Sequence, residues 1–255
     1  MSDESVPRPV AATIYRNGVV LWYPARPAAG GGVREEVSFF SSRSRRRLAF
    51  AVQNCEGSLT HMTTLTYPRH YPPDGRRVKS HLNRILSWMR ARHAATCGTL
   101  EYVWWLEFQR RGAPHFHILH NYPAWTRQEL SQRWYDAVGS LDARHLSAGT
   151  RMEKLREVDG AARYATKYAT KAEQKAVPTG YENVGRFWGM SRNIRPVARA
   201  SYLLQDGDDA LSPFDGWVYR ERLDSCAYKM LFGAAATFDS DGLTKVDLET
   251  GEITE

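Results

Sequence analysis

Residues 100–120 read LEYVWWLEFQRRGAPHFHILH, in which two aromatic-rich apolar runs flank a short polar stretch with one glycine. Runs rich in β-branched and aromatic residues, bounded by turn-forming residues, predict strands, here over 100–109 and 115–120. Side chains two positions apart in a strand share a face, so we expect His115 and His117 to point the same way.

The length of the loop between these strands decides where Glu107 points. If the strands form a hairpin, a three-residue loop at 110–112 sets Glu107 opposite His115, and one at 111–113 sets it opposite His117. A two-residue loop turns Glu107 to the other face. Two imidazoles and one carboxylate on one face would leave coordination positions open, as a catalytic metal site requires.

A His-x-His pattern is weak evidence when it stands alone. The chain has 8 histidines in 255 residues, and some such pair arises by chance in roughly a quarter of chains of this composition. His120 falls on the other face of its strand, which indicates a structural role.

The second informative segment, residues 163–171, reads RYATKYATK and lies within a predicted helix over 161–176. Lysine is scarce in this chain, with seven lysines against 28 arginines, yet each tyrosine here is followed three residues later by a lysine. At ~100° per residue, four side chains share a helix sector of about 100°: Tyr164, Lys167, Tyr168 and Lys171. We favour a functional role for them over a helix seam with solvated lysines.

The flanking patterns place this hairpin within a larger fold. The elements predicted around it are a strand at Leu59–Tyr67, a helix at Arg77–Ala95, a helix at Arg127–Val138 capped by Thr126, and a weaker strand at Thr150–Val158. The order β-α-β-β-α-β-α predicts an α+β fold, a ferredoxin-like or split-βαβ layered antiparallel sheet with helices packed on it.

Charge divides the chain unevenly. The net charge is +7, but residues 206–255 contain 12 acidic and 4 basic residues. We therefore predict an N-terminal arm with a basic helix (1–57), a catalytic domain (58–205) and an acidic C-terminal extension (206–255). A basic body suits a polyanionic partner such as nucleic acid, although a basic globular protein with a solvated tail explains the charge equally well.

Basic and aromatic side chains supply the candidate DNA contacts. SSRSRRRLAFAVQN (41–54) predicts a short helix capped by Ser41 or Ser42, with its arginines at the start. Phe187 and Trp188 lie in a basic loop and could stack on unpaired bases, whereas at least one of Trp104 and Trp105 is expected in the core. The DNA-binding residues predicted are Arg45, Arg46, Arg47, Arg186, Trp188 and Arg192.

Several classes of protein are disfavoured. The sequence has no apolar run of the ~20 residues that a membrane span needs, and its first residues, MSDESVPRPV, do not resemble a secretory signal. Three scattered cysteines without a CxxC argue against a disulfide framework. The absence of GxxxxGK[ST] argues against a built-in ATP-driven helicase. We expect a protein of a reducing cytoplasm.

Tyrosine and lysine beside a metal indicate phosphoryl transfer. A phenol, with a pKa of about 10, is a poor nucleophile until a cation lowers that value. A metal can withdraw charge from a phosphodiester and orient it, and lysine can stabilise the developing charge. The expected reaction is a reversible transesterification to a phosphotyrosine, which needs no ATP.

Three motifs in order resemble those of rolling-circle replication initiators of the HUH endonuclease superfamily, in particular the two-tyrosine type of plasmids and single-stranded-DNA phages. They are TTLTY (63–67), GAPHFHIL (112–119) and the doubled Tyr-x-x-Lys (164–171). The later GRFWGMSRN, from Gly185, also resembles a segment of such initiators, and the resemblance covers roughly 58–195.

The resemblance implies residue roles. His115 and His117 would be ligands of Mg²⁺ or Mn²⁺ with Glu107 as the third, and Tyr164 and Tyr168 would be nucleophiles. Lys167 and Lys171 would support them. Such an enzyme nicks one strand of single-stranded or locally melted origin DNA, remains linked to its 5′ end and later rejoins the strand.

It would work in the bacterial host cytoplasm with a host helicase and polymerase, and no membrane would take part. The alternatives are a transposase or relaxase of the same superfamily and, from another class, a non-catalytic nucleic-acid-binding domain.

Overall fold

The computed structural model describes residues 10–23, 39–156, 161, 164, 177–204, 214, 218–221, 228–232, 243–250 and 253–254. In chain order the elements of this part are β1 (Val10–Tyr15), β2 (Gly18–Trp22), α1 (Ser42–Asn54), β3 (His61–Thr66), α2 (Gly75–Thr96), β4 (Tyr102–Phe108), β5 (Pro114–His120), α3 (Arg127–Val138), α4 (Arg144–Ala148), β6 (Thr150–Lys154), β7 (Trp188–Met190), β8 (Ala200–Leu204), β9 (Val218–Glu221), β10 (Tyr228–Phe232), β11 (Thr244–Val246) and β12 (Ile253–Thr254).

The chain forms two compact units, one of residues 34–195 and the other of residues 1–33 together with 196–255. The first unit contains an antiparallel sheet of order β6-β3-β5-β4-β7. Its first four members are the fourth, first, third and second strands of a βαββαβ unit, the ferredoxin-like pattern. The predicted α+β class is confirmed, and β7, from the GRFWGMSRN segment, extends the sheet beside β4.

The helices of this unit begin and end where their capping residues lie. Asp74 accepts hydrogen bonds from the backbone N–H groups of Arg76 and Arg77, so α2 begins two residues before the predicted start. Thr126 and Glu129 form a capping box at the start of α3. The helices α1 and α3 were predicted with these bounds, and Ser41 is the cap of α1.

The core of this unit is built from the apolar periodicities that the sequence shows. The buried face of α2 carries Val78, Leu82, Ile85, Leu86 and Met89, spaced by three or four residues. Against it and around the sheet pack fully buried side chains of the central strands, among them Leu65, Leu106, Phe116, Ile118 and Leu119.

The hairpin between β4 and β5 has the first of the predicted loops. The backbone N–H of Gln109 donates to the carbonyl of Ala113, which leaves 110–112 as the loop. Gly112 adopts a φ of 80°, a left-handed conformation that glycine accepts without steric cost. Glu107 is therefore directly opposite His115 in the ladder.

The second unit corrects the predicted domain boundaries. Its sheet has the order β12-β11-β8-β1-β2-β10-β9, so strands from the predicted arm (1–57) and the predicted extension (206–255) belong to one sheet. Val10, Ile14, Leu21, Leu204 and Leu231 are among its buried residues. The arm and extension interpretation was wrong because these strands pair across most of the chain length, and local patterns do not show such pairing.

Candidate functional site

One face of the five-stranded sheet carries the predicted ligands. Directly opposed residues in antiparallel strands project from the same face. Glu107 and Thr66 are both opposite His115, and Thr64 is opposite His117, so all five side chains share this face. We call it the His–Glu face, after Glu107, His115 and His117.

The three predicted ligands lie close together. The Glu107 Oε2 atom is 3.4 Å from the His117 Nε2 atom, and His117 is buried. The rings of His115 and His117 are 4.6 Å apart at 83°. His117 also stacks on the buried ring of Trp105, at 4.9 Å and 17°, which fixes the plane of its imidazole.

Two threonines of the TTLTY motif hold the imidazoles from β3. The Thr66 Oγ1 atom is 3.1 Å from His115 Nδ1, and the Thr64 Oγ1 atom is 3.5 Å from His117 Nδ1. When a hydroxyl oxygen accepts the Nδ1 proton, the lone pair of a neutral imidazole is on Nε2, the nitrogen that faces Glu107 in His117. The threonines thus favour the tautomer in which Nε2 can bind a cation.

The electrostatics of the face keep one imidazole neutral. Burial, and then the neighbouring His117, lower the pKa of His115 to about 4, an effect that Glu107 partly opposes. His115 is therefore uncharged at neutral pH, the state in which an imidazole is a ligand.

The donor set fits a divalent cation in its chemistry. Two imidazoles and a carboxylate are ligands that Mn²⁺ accepts and that leave positions for substrate oxygens. Among the residues that the structure describes, however, no three donor side chains already converge as a metal cluster. The fit therefore rests on the shared face and on the Glu107–His117 approach.

Tyr164 reaches the edge of the His–Glu face. It is in helical conformation, and its hydroxyl donates to Glu153 Oε1 at 3.4 Å. Glu153 is opposite Met62, two residues from Thr64, so its side chain projects from the same face. Lys167, Tyr168 and Lys171 lie outside the described residues.

The environment of Tyr164 favours the neutral phenol. Burial raises the pKa of Tyr164, and the charge of Glu153 and the hydrogen bond to it raise it further. Glu153 is itself paired with Arg151, with 2.8 Å between Oε2 and Nη2. A carboxylate that is charged and in contact with the hydroxyl can accept its proton.

Helix α1 brings an arginine to this face. The Trp188 Nε1–H donates to Ser44 Oγ at 3.0 Å, and Trp188 is opposite Trp105, so α1 lies on the His–Glu side. Arg45 is buried there. Burial and the charge of Arg46 lower the pKa of Arg45, and Glu107 raises it.

The predicted DNA contacts therefore lie in different environments. Arg45 is buried beside Glu107, Arg46 is half-buried, and Arg47, Arg186 and Arg192 are exposed. The sequence did not predict the position of Arg45, since its approach to Glu107 depends on how α1 packs on the sheet. The roles of Thr64 and Thr66 were also missed, because they depend on the register of β3 against β5.

The aromatic predictions are partly corrected. Phe187 is only 2% exposed and stacks on Phe40 at 5.6 Å, so it belongs to the core and does not reach DNA bases. Trp105 is fully buried, as expected for one of the two adjacent tryptophans. His120 is also fully buried and interacts with Thr63 Oγ1 at 2.9 Å, which confirms its structural role.

Comparison with known proteins adds one finding. Residues 60–173 match the family model of the replication-associated protein ORF2, a stretch that includes the His–Glu face and Tyr164. The match supports a role in replication. No curated protein and no solved structure matches the chain. Within the part of the chain that the structure describes, no helix has both the length and the apolar character that crossing a membrane requires.

Proposed function

We propose that this chain is a rolling-circle replication initiator of the HUH type that nicks and rejoins one DNA strand through a phosphotyrosine. The observation that carries the proposal is the position of the Tyr164 hydroxyl, at the β6 edge of the face that carries Glu107, His115 and His117. The match of residues 60–173 to a replication-associated family supports the same biological role.

The His–Glu face would hold and polarise the scissile phosphate. His115 and His117 through Nε2, and Glu107 through its carboxylate, are the residues that would hold Mg²⁺ or Mn²⁺. When bound, that cation supplies Lewis-acid neutralisation of the phosphate charge. Arg45, buried beside Glu107, contributes a fixed positive charge on the same side.

The chain's own residues would carry the proton and the nucleophile. Tyr164 attacks the phosphorus through its phenol oxygen while Glu153 accepts the phenol proton, a transfer that their hydrogen bond prepares. The bond from phosphorus to the 3′ oxygen breaks, and that oxygen takes a proton to become the 3′-OH. The reverse reaction, by a 3′-OH on the phosphotyrosine, rejoins the strand and returns the proton to Tyr164.

The second tyrosine and the lysines enter through the resemblance to two-tyrosine initiators. Tyr168 would attack in the second transesterification, and Lys167 and Lys171 would stabilise the phenolates. Strand separation and synthesis would come from a host helicase and polymerase, since the sequence has no GxxxxGK[ST] segment.

A transposase or relaxase would share this chemistry. Relaxases usually have a third histidine where this chain presents Glu107, which favours an initiator. A non-catalytic DNA-binding domain would leave the Thr–His contacts and the Tyr164–Glu153 contact without a role.

Incubation of the protein with single-stranded DNA tiled across its own replicon, in Mn²⁺, tests the function. A denaturing gel should show one nicked fragment and a protein-linked 5′ end, and mass mapping should locate the adduct on Tyr164 or Tyr168. The double variant Tyr164→Phe/Tyr168→Phe should keep DNA binding and form no adduct.

His117→Ala should lose the nicking that depends on the metal, whereas His70→Ala, at an exposed histidine away from the face, should retain it. Adducts formed by the double tyrosine variant, or full nicking by the native protein in chelator, would contradict the mechanism.

A further inference from the structure

The exposed side of α2 is a second cationic surface, on the side of the sheet opposite to the His–Glu face. The Lys79 ammonium lies 3.9 Å above the ring of Trp104. Trp104 is adjacent in β4 to Trp105, whose side chain stacks on His117, so the two tryptophans project from opposite faces. Helix α2 is therefore separated from the predicted catalytic residues by the sheet.

The lysine and arginine charges of this helix have no acidic counterpart within it. The 22 residues of α2 contain no aspartate or glutamate. They contain six cationic side chains: Arg76, Arg77, Lys79, Arg84, Arg90 and Arg92. Of these, Arg92 is paired with Glu129 of α3 at 2.8 Å.

A shallow groove of about 700 Å³ runs along this helix. Its helical wall consists of Arg76, Lys79, Ser80, Asn83, Arg84 and Ser87. Asn183 contributes from the segment before β7. The helical positions follow steps of three and four residues, so they form one stripe about 16 Å long. A stripe of that length spans about five phosphates of one DNA strand.

We propose that this groove binds the sugar–phosphate backbone of duplex DNA next to the single strand that the His–Glu face cuts. The inference rests on the proposed function in taking DNA as the ligand. Arginine, asparagine and serine side chains are common donors to phosphate oxygens. They would fix the register of the duplex flank while the other side of the sheet handles the nicking site.

The chemistry of the wall distinguishes a duplex from other polyanions. Single strands are bound through aromatic rings that stack on bases, and protein interfaces have an apolar centre. None of the described residues that line the groove is aromatic or apolar. Charge and hydrogen-bond donors without either feature suit a regular phosphate backbone.

The two arginines supply the fixed charge of the groove. Burial, and then Arg186, lower the pKa of Lys79 to about 7, and its ammonium donates to the Arg186 carbonyl. Arg84 donates to the Ala137 carbonyl at 3.3 Å, which links α2 to α3. Arg76 and the exposed Ser80 are therefore the positions where the charge can be changed with least effect on the fold.

The test uses Arg76→Gln/Ser80→Glu in the full chain, with Arg133→Gln, at an exposed position of α3 outside the groove, as the control. Binding of a fluorescent 25-base-pair duplex and of a single strand is measured by anisotropy over a range of NaCl concentrations. The groove variant should bind the duplex at least about tenfold more weakly, and its salt slope should fall by about one for each phosphate that it no longer neutralises.

Nicking of single-stranded DNA by the groove variant should be unchanged, and the single variant Arg76→Lys, which keeps the charge, should retain most of the duplex binding. Duplex affinity and slope equal to those of the native protein, or equal losses in the Arg133→Gln control, would overturn the proposal. Weakened binding of a polyglutamate peptide with unchanged duplex binding would also overturn it and would indicate an acidic protein partner. Absence of nicking by the native protein would refute the proposed function alone, since duplex binding is measured without it.

Discussion

The Tyr164 hydroxyl donates a hydrogen bond to Glu153 Oε1 over 3.4 Å, and Glu153 is held from its other side by Arg151 at 2.8 Å. The carboxylate raises the pKa of the phenol, so Tyr164 is protonated before the reaction. A phenol of this kind needs an acceptor at the moment of attack, and Glu153 is in contact with its proton.

Replacing Glu153 by glutamine therefore has two opposite effects. Glu153→Gln should lower the pKa of Tyr164, because a negative charge is removed, and should still slow adduct formation on Tyr164 by about 10²-fold, because the proton acceptor is removed. Single-turnover nicking across pH 6–9, with mass mapping of the adduct, measures this. Glu182→Gln, at an exposed carboxylate, is the control. A rate equal to that of the native protein would remove Glu153 from the mechanism.

Thr66→Val should weaken cation binding at the His–Glu face. The substitution removes the hydroxyl that lies 3.1 Å from His115 Nδ1 and keeps the shape of the side chain, so Nε2 is no longer favoured as the lone-pair nitrogen. Removal of such a supporting group typically weakens metal affinity 10–100-fold, roughly. Mn²⁺ titration by calorimetry in a Tyr164→Phe/Tyr168→Phe background measures affinity without turnover.

Thr66→Ser keeps the hydroxyl and should retain most of the Mn²⁺ affinity. Equal affinities for the valine and serine variants would show that the threonine hydroxyl does not orient His115.

The periodic part of the sequence predicted the helices and strands of 59–154 because each buries one face. The spacing of Val78, Leu82 and Ile85 identified α2 without knowledge of its partners. Its start at Gly75 was missed, since Asp74 acts as a cap only through its contacts with Arg76 and Arg77.

Parity arguments limited the site to a few arrangements but could not choose among them. The bond between Gln109 and Ala113 selects the 110–112 loop, and the β3–β5 register then sets Thr66 beside His115. The seven-stranded sheet was not predicted, because β1 and β2 pair with β8 and β10 from the far end of the chain.

Stability should fall as pH decreases below about 6.5. Burial lowers the pKa of His81 to about 4 and that of His120 to about 3, against an unfolded value of about 6.5. Between these values the unfolded chain binds more protons than the folded chain, so the free energy of unfolding decreases as pH drops through this window. Urea unfolding at pH 7.5 and pH 5 measures the decrease.

His81→Gln removes one of these titrating groups and should reduce the pH-dependent decrease by on the order of 1–3 kcal/mol. The variant also alters the contact of His81 with Tyr67, so its stability is compared between the two pH values and not with the native protein at one pH. His70→Gln, at an exposed histidine, is the control. A decrease of equal size in His81→Gln and the native protein would contradict the assignment.

Gly189→Ala should disturb β7 through a single steric contact. A Cβ at this position would lie 2.9 Å from Trp104 Nε1 and 3.1 Å from its Cε2, closer than side chains tolerate. Trp104 is opposite Gly189 in the ladder and carries Lys79 over its ring, so the clash would displace the indole or separate β7 from β4. We expect the free energy of unfolding to fall by about 1–3 kcal/mol. Because the cause is local, Trp104→Leu should restore part of that stability when combined with Gly189→Ala, and strictly additive effects in the double variant would show that the clash is not responsible.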